Sequence, residues 1–427
     1  MYGLILIYAL TAVASLAGLR YPVLAFYVYV GYSVLRPQFI WGWAGDLSNI
    51  SFVVALSMLI GWVLKGFGSW RFGPGRSIVF ALLIHAAWSA LSALQAVSTP
   101  PATVALTALL KIVLAFLVGV TLLTTEREVR TLLWVIVAAQ AYVGFELNMS
   151  YLAGNNVAQS QGFGGMDNNS IGIGLVATLG AAVGLLLSAT TWRERTAALG
   201  AGLLIVHTVL LTFSRGAMLG LVAAGATAAL IMPKRPRYIV AVAAGLAITL
   251  RLTGPELAAR FESTFVETEQ LDASSESRLE LWRDCFAVAI AEPFFGVGPK
   301  NWPVIAENYG WPRGKEAHSV WMQTLAELGF TGVMALIAFY ILTIVKLWSH
   351  LRRRRMIGLT TGMTLGFGII ISLAGYAVSA QFVSLLGLET PFYLVAAAVV
   401  LLKGVAEAVP RVNQADSKQR RIVTVPR

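Results

Sequence analysis

Cysteine is almost missing from this chain. Cys285 is the only one among 427 residues, which excludes an intramolecular disulfide and leaves no thiol pair for redox chemistry. Charge is scarce too: 12% of residues are Asp, Glu, Lys or Arg, where a soluble domain carries about 25%. Histidine is limited to four residues, and no His, Cys or carboxylate cluster has convincing metal spacing, so neither a metal nor a cofactor is implied. Strict polar–apolar alternation is absent, which excludes a membrane barrel. No repeat of fixed period stands out, and no inverted halves of the transporter kind. Before Arg20 there is no basic n-region and no small-residue cleavage site, so the first apolar segment is read as retained.

What the chain has in abundance is apolar sequence, 57% of its residues, gathered in runs near the ~20 residues that cross a hydrocarbon core as a helix. In lipid every backbone polar group must be satisfied within its own segment, so these runs specify an all-α polytopic membrane protein. The candidate spans are 3–18, 22–35, 50–65, 77–96, 104–124, 130–147, 169–190, 196–213, 215–232, 237–253, 325–346, 357–376 and 388–403. About twelve crossings are expected. The first 65 residues leave the parity open: either the N-terminus is external or one of the first two segments is re-entrant.

The formal charge of +11 lies in short loops (65–76, 127–130, 193–195, 234–237, 346–355) and after Lys403. That distribution follows the positive-inside rule rather than nucleic-acid binding, and it makes these loops cytoplasmic. Segments 97–103, 148–168, 213–216 and 254–323 then face outward, in a bacterium toward the periplasm. The expected organisation is a transmembrane bundle over 1–253, an external loop or lid over 254–323, a second bundle over 324–403, and a basic tail over 404–427 near anionic headgroups.

The large loop is the most hydrophilic part. Between Gly254 and His318 it holds eleven of the twenty-one acidic residues together with six basic ones. Ser274-Ser275-Glu276-Ser277-Arg278 has the pattern of a capped helix start, followed by Leu281, Trp282, Cys285, Phe286 and Ala289 at helical spacing. Arg278 and Trp282 are i,i+4 and share a face. One reading is an amphipathic helix on the bilayer with Trp282 at the interface. A sharper one puts Arg278 over the membrane mouth, with Arg283 turned away. Phe295-Gly296-Val297-Gly298-Pro299-Lys300 is too weak for a dinucleotide site, since no strand precedes it. It is read as a tight turn that brings Lys300 close to a ligand.

Arg215, in Thr212-Phe213-Ser214-Arg215-Gly216, has apolar helix on both sides. It either snorkels to lipid headgroups or presents its planar fork to a phosphate. His318 stands where loop meets membrane, on the same face, and is a candidate general base or hydrogen-bond donor. His85, His207 and His350 are read as structural. Asp167, Asn168 and Asn169 precede a span. They either cap it or contact sugar hydroxyls, and Asp167 and Asn169 are also candidates to orient His318.

Ser214-Arg215-Gly216, Arg278 with Trp282, Phe295-Gly296-Val297-Gly298, and His318-Ser319 followed by Leu325-Ala326-Glu327-Leu328-Gly329 together resemble the O-antigen ligase family (WaaL type). Leu19-Arg20-Tyr21-Pro22 and Leu35-Arg36-Pro37-Gln38 look like its O-glycosylation ligase subgroup. Ser319 stands where many relatives have Asn. The resemblance implies a GT-C-type glycosyltransferase in the bacterial inner membrane, with its site facing the periplasm. The donor would be a glycan on undecaprenyl pyrophosphate and the acceptor the lipid A–core oligosaccharide. Transfer would be inverting and metal-independent, with His318 catalytic and Arg215, Arg278 and Lys300 on the pyrophosphate. A polymerase, a protein O-oligosaccharyltransferase and, in another class, a flippase of lipid-linked sugars remain alternatives.

Overall fold

In the computed structural model the described residues are 2–232, 269–354 and 360–403, with positions 240, 243, 247 and 251. Among them the principal helices are α1 (Tyr2–Gly18), α2 (Pro22–Leu35), α3 (Ile50–Leu64), α4 (Arg76–Ala93), α5 (Thr99–Leu122), α6 (Glu126–Leu152), α7 (Asn168–Ser188), α8 (Trp192–Leu211) and α9 (Arg215–Ile231). They continue with α10 (Glu269–Ala291), α11 (Val320–Arg354) and α12 (Thr361–Ser379), and with α13 (Thr390–Lys403). The expected span 237–253, loop residues 252–268 and the tail 404–427 lie outside the described residues, apart from the single positions given above.

Local chemistry sets these helix starts. Thr125 with Glu128 and Thr191 with Glu194 form complete capping boxes on α6 and α8, each satisfying two otherwise orphaned N–H donors. Proline occupies the first turn of α2 and of α5, where its missing N–H costs nothing. The start expected at Ser274 is corrected: α10 is helical from Glu269, so the Ser-Ser-Glu-Ser run is helix interior. The span expected from 325 begins at Val320.

Among the described residues, seven helices are long and apolar enough to cross a membrane, and five shorter apolar helices accompany them. The chain is therefore an all-α, multi-pass membrane protein. At one end of the bundle are the basic turns: Arg130 pairs with Glu194 at 2.9 Å, Gly362 N–H donates to Glu126 at 3.0 Å, and Lys346 Nζ donates to the Pro74 carbonyl at 3.0 Å. The opposite end collects the turns at 36, 97–98, 163–169, 212–214 and 293–319, joined by bonds such as Val97 N–H to the Val297 carbonyl, 3.1 Å. Tyr8 donates to the Asp46 carbonyl at 2.8 Å, while Gly18 packs on Gly61 near the basic end. The three leading helices thus alternate in direction, with the Tyr2 end at the loop-bearing end of the bundle.

At the centre, α7, α9 and α12 pack through small residues. A methyl group on Gly180 would lie 2.3 Å from the Gly368 carbonyl oxygen, and one on Gly220 only 2.8 Å from that of Gly375. Such close backbone approach is how membrane helices gain packing energy without a hydrophobic driving force between them.

One helix is broken. In α11, Gly329 has φ 65° and ψ −172°, which removes helical pairing within the bundle. The freed groups are met by the turn 293–298: Phe330 N–H donates to the Pro293 carbonyl at 2.9 Å, Val297 N–H to Ala326 at 3.1 Å, and Gly298 N–H to Glu327 at 2.9 Å. From α4, Trp88 Nε1 donates to the Phe294 and Leu328 carbonyls at 2.8 and 3.2 Å, and Ser92 Oγ to Phe295 and Glu327 at 2.6 and 3.2 Å. The Trp88 ring stacks on Phe295 at 4.6 Å and 10°. Unmet backbone groups at this depth would cost several kcal/mol each. Gly296, at φ +63°, leaves no room for a side chain, because its Cβ would stand 2.4 Å from the Ala326 oxygen. Gly296→Ala is expected to destabilise the detergent-solubilised protein by about 1–3 kcal/mol or more, read as a lower thermal midpoint and faster proteolysis near 293–298. An unchanged midpoint would mean that this pairing does not hold the turn.

Candidate functional site

Arg215 is the first residue of α9 and is half-buried. Its helix is capped by Ser214, whose Oγ accepts the Ala217 N–H at 3.3 Å and donates to Asn169 Oδ1 at 2.8 Å. Asn168 Nδ2 donates to the Thr212 carbonyl at 3.1 Å, and Asp167 caps α7 by accepting the Ser170 N–H at 2.8 Å. The Asp167–Asn169 corner is therefore fastened directly to the Arg215 turn. The capping role expected of Asp167 is observed. Asn168 and Asn169, by contrast, spend amide groups on the neighbouring turn.

On the other flank, Gly216 lies against Phe382, where an added Cβ would come within 2.6 Å of the Phe382 Cβ. The Phe382 ring sits 6.3 Å from that of Trp282, and Trp282 Nε1 donates to the Ala317 carbonyl at 3.0 Å. Half-buried Trp282 thus holds the residue before His318. The exposed apolar ridge of α10 is Leu279, Phe286 and Ile290. Sharing its face with Trp282 one turn later, half-buried Arg278 is directed to the same mouth.

Electrostatics close the circuit. The His318 imidazole is pulled below its ordinary pKa first by burial, then by Lys315 and Arg278, with Asp167 pulling the other way. Burial likewise lowers the Arg278 guanidinium from its usual value, though not far enough to discharge an arginine. Glu316, exposed at the rim, is raised by desolvation against its neighbours and by Asp167, and is opposed by Lys300. Lys315, Arg278 and Asp167 thus act on His318, Lys300 and Asp167 act on Glu316, and the Asp167–Asn169 corner is tied to the Arg215 turn. Sequence reading missed Glu316 here. It also missed Glu327, fully buried below, for which an acid inside an apolar run was the available signal.

Three of these turns are strained. Among the described residues, five non-glycines have positive φ, and Phe213, Lys300 and His318 are three of them, at 50°, 55° and 50°. Each such residue costs on the order of 1–3 kcal/mol and persists only where its surroundings over-determine it. One flanks Arg215 and the other two are themselves site candidates.

With a neutral imidazole at pH 7, the mouth offers a proton acceptor beside fixed positive charges. That combination suits attack by a hydroxyl while an anion departs. Asp167→Asn removes the contribution that raises His318, so its titration is expected to move to lower pH. Arg278→Gln removes a lowering one and is expected to move it up. The pH dependence of carbethoxylation at His318, followed by peptide mass spectrometry, reads both shifts. Shifts of the opposite sign would separate these side chains from His318.

Residues 199–337, about a third of the chain, match the family model Wzy_C, O-Antigen ligase. No curated protein matches the chain. The matched interval includes Arg215, Arg278, Lys300, His318 and the broken segment of α11, and it leaves Asp167–Asn169 outside. Residues 199–337 are therefore similar to the O-antigen ligase family model, within a chain that is an all-α, multi-pass membrane protein.

Proposed function

We propose that the protein is an O-antigen ligase of the bacterial inner membrane, transferring a preassembled polysaccharide from undecaprenyl pyrophosphate to the lipid A–core oligosaccharide. What supports this reading is that Arg278 acts on the His318 imidazole while the Arg215 turn reaches the same segment through Phe382 and Trp282. Because the basic turns occupy the opposite end, the positive-inside rule puts the mouth in the periplasm. The membrane bundle is expected to comprise about twelve crossings, with 254–323 as a lid.

In the proposed step an acceptor hydroxyl oxygen attacks the anomeric carbon of the donor. The bond from that carbon to the pyrophosphate oxygen breaks, the configuration inverts, and undecaprenyl pyrophosphate leaves with the electron pair. His318 takes the hydroxyl proton. Arg215 and Arg278 bind the pyrophosphate as planar, permanently charged forks and stabilise the charge that develops on departure. Lys300, on the rim, adds a third cation. Asp167 counters the depression of His318 by Lys315 and Arg278, keeping the imidazole basic enough to accept a proton, while Asn168 and Asn169 contact sugar hydroxyls. Two guanidinium groups can thus serve without a divalent ion.

A polymerase or a protein O-oligosaccharyltransferase would use the same donor chemistry and differ only in acceptor. The assay therefore presents purified protein in nanodiscs with undecaprenyl-pyrophosphate glycan and, separately, lipid A–core, a second lipid-linked glycan or a protein acceptor. The expected outcome is mass gain by lipid A–core alone. Gain by either other acceptor would replace the ligase assignment, and no gain by any would remove the transferase reading. His318→Ala is expected to lose at least 100-fold in transfer, in the range for general acid–base groups, while staying folded. Arg215→Lys is expected to lose at least tenfold by giving up the bidentate fork, and full activity from that variant would dismiss it.

A further inference from the structure

We propose that Glu327, acting through Gln323, is a positioning residue that sets both Lys300 and His318, a role that rests on the glycosyl-transfer reading above. Glu327 and Gln323 lie one turn apart on α11 and are 1% and 3% exposed. The Glu327 carboxylate spends one oxygen on each side of the mouth. Its Oε2 accepts the backbone N–H of Lys300 at 2.7 Å, and its Oε1 accepts Gln323 Nε2 at 2.9 Å. The amide oxygen of Gln323 in turn accepts the N–H of Ala317 at 3.4 Å, the residue immediately before His318.

The relay ends at the two turns whose backbones most need holding. Lys300 and His318 both adopt left-handed φ, at 55° and 50°, a region non-glycine residues enter only when their surroundings compel it. A carboxylate accepts at both oxygens, so it can receive N–H donors from two sides, whereas a primary amide accepts at one oxygen and donates from the other end. Burial makes the exchange consequential, since a donor left unmet there keeps its whole desolvation cost. A carboxylate inside an apolar helix end is expensive, and here it accepts from Gln323 and from the backbone of Lys300 and Trp302 rather than from a neighbouring span.

The relay has a polarity that can be reversed without changing composition. In Glu327→Gln, the amide turns an NH2 toward either Lys300 N–H or Gln323 Nε2, donor against donor, so the pairing on that side is broken. In Gln323→Glu, two carboxylates face each other. In the double variant Gln323→Glu/Glu327→Gln, the carboxylate at 323 accepts from Ala317 N–H and from the amide of 327, whose oxygen accepts Lys300 N–H. All three bonds return.

Two readouts are measured on wild type, both single variants and the double variant in nanodiscs. One is glycan transfer from undecaprenyl-pyrophosphate glycan to the acceptor that wild type uses. The other is the rate of His318 carbethoxylation, which assumes no substrate. The expected result is a fall in kcat of at least tenfold in each single variant with KM for the donor within about threefold, a changed carbethoxylation rate, and recovery of both readouts in the double variant. Unchanged readouts in Glu327→Gln, or a double variant no better than the singles while retaining the wild-type thermal midpoint, would overturn the relay. A wild type that transfers no glycan would instead remove the functional reading. The carbethoxylation pattern would then still decide whether the relay positions His318.

Discussion

The site depends on a helix that stops being a helix. At Gly329, α11 opens its hydrogen-bond ladder inside the bundle, and membrane depth does not tolerate such a gap unless protein fills it. The turn 293–298 fills it with its own backbone, while Trp88 and Ser92 of α4 meet the remaining carbonyls. This pairing joins the extramembrane loop to the bundle at a fixed height. It delivers Lys300 to one side of the mouth and, through the start of α11, His318 to the other.

From that junction the remaining contacts follow as a ring. α10 presents Trp282 to Ala317 and to Phe382. Phe382 rests on Gly216 beside Arg215, and Ser214 reaches back to Asn169. Asp167, two residues earlier, acts electrostatically on His318. Every candidate side chain is thereby carried by an element that is tied to another one, as a preorganised anion site requires. The mouth mixes rigid helix starts with strained turns, and the strain is concentrated at Phe213, Lys300 and His318.

Much of this was legible in the sequence because the relevant physics is local. Apolar run length announces a membrane helix, and Asp167 before a span announces a capped start. A charged Arg215 between apolar runs, and a histidine where loop meets membrane, stand out against their surroundings. What was not legible depends on partners far away in the chain. Ser274 has the local signature of a cap, yet α10 already runs from Glu269, so nothing in the four-residue pattern distinguishes cap from interior. Trp282 reads as an interfacial aromatic, and its ring contact with Phe382, a hundred residues on, has no local signature. Glu327 reads as a lone acid in a span, because its partner is the backbone of Lys300 and backbone groups carry no sequence signature.

The central claim is that Arg215 and Arg278 face one pyrophosphate, with His318 on the open side of it. A cryo-EM map of the protein in nanodiscs with a short polyprenyl pyrophosphate tests this most directly. The expected result is paired phosphate density within hydrogen-bond reach of both guanidinium groups, with the His318 ring facing the position of the absent sugar. Phosphate density at the lipid interface away from Arg278, or on the basic-turn end of the bundle, would contradict it.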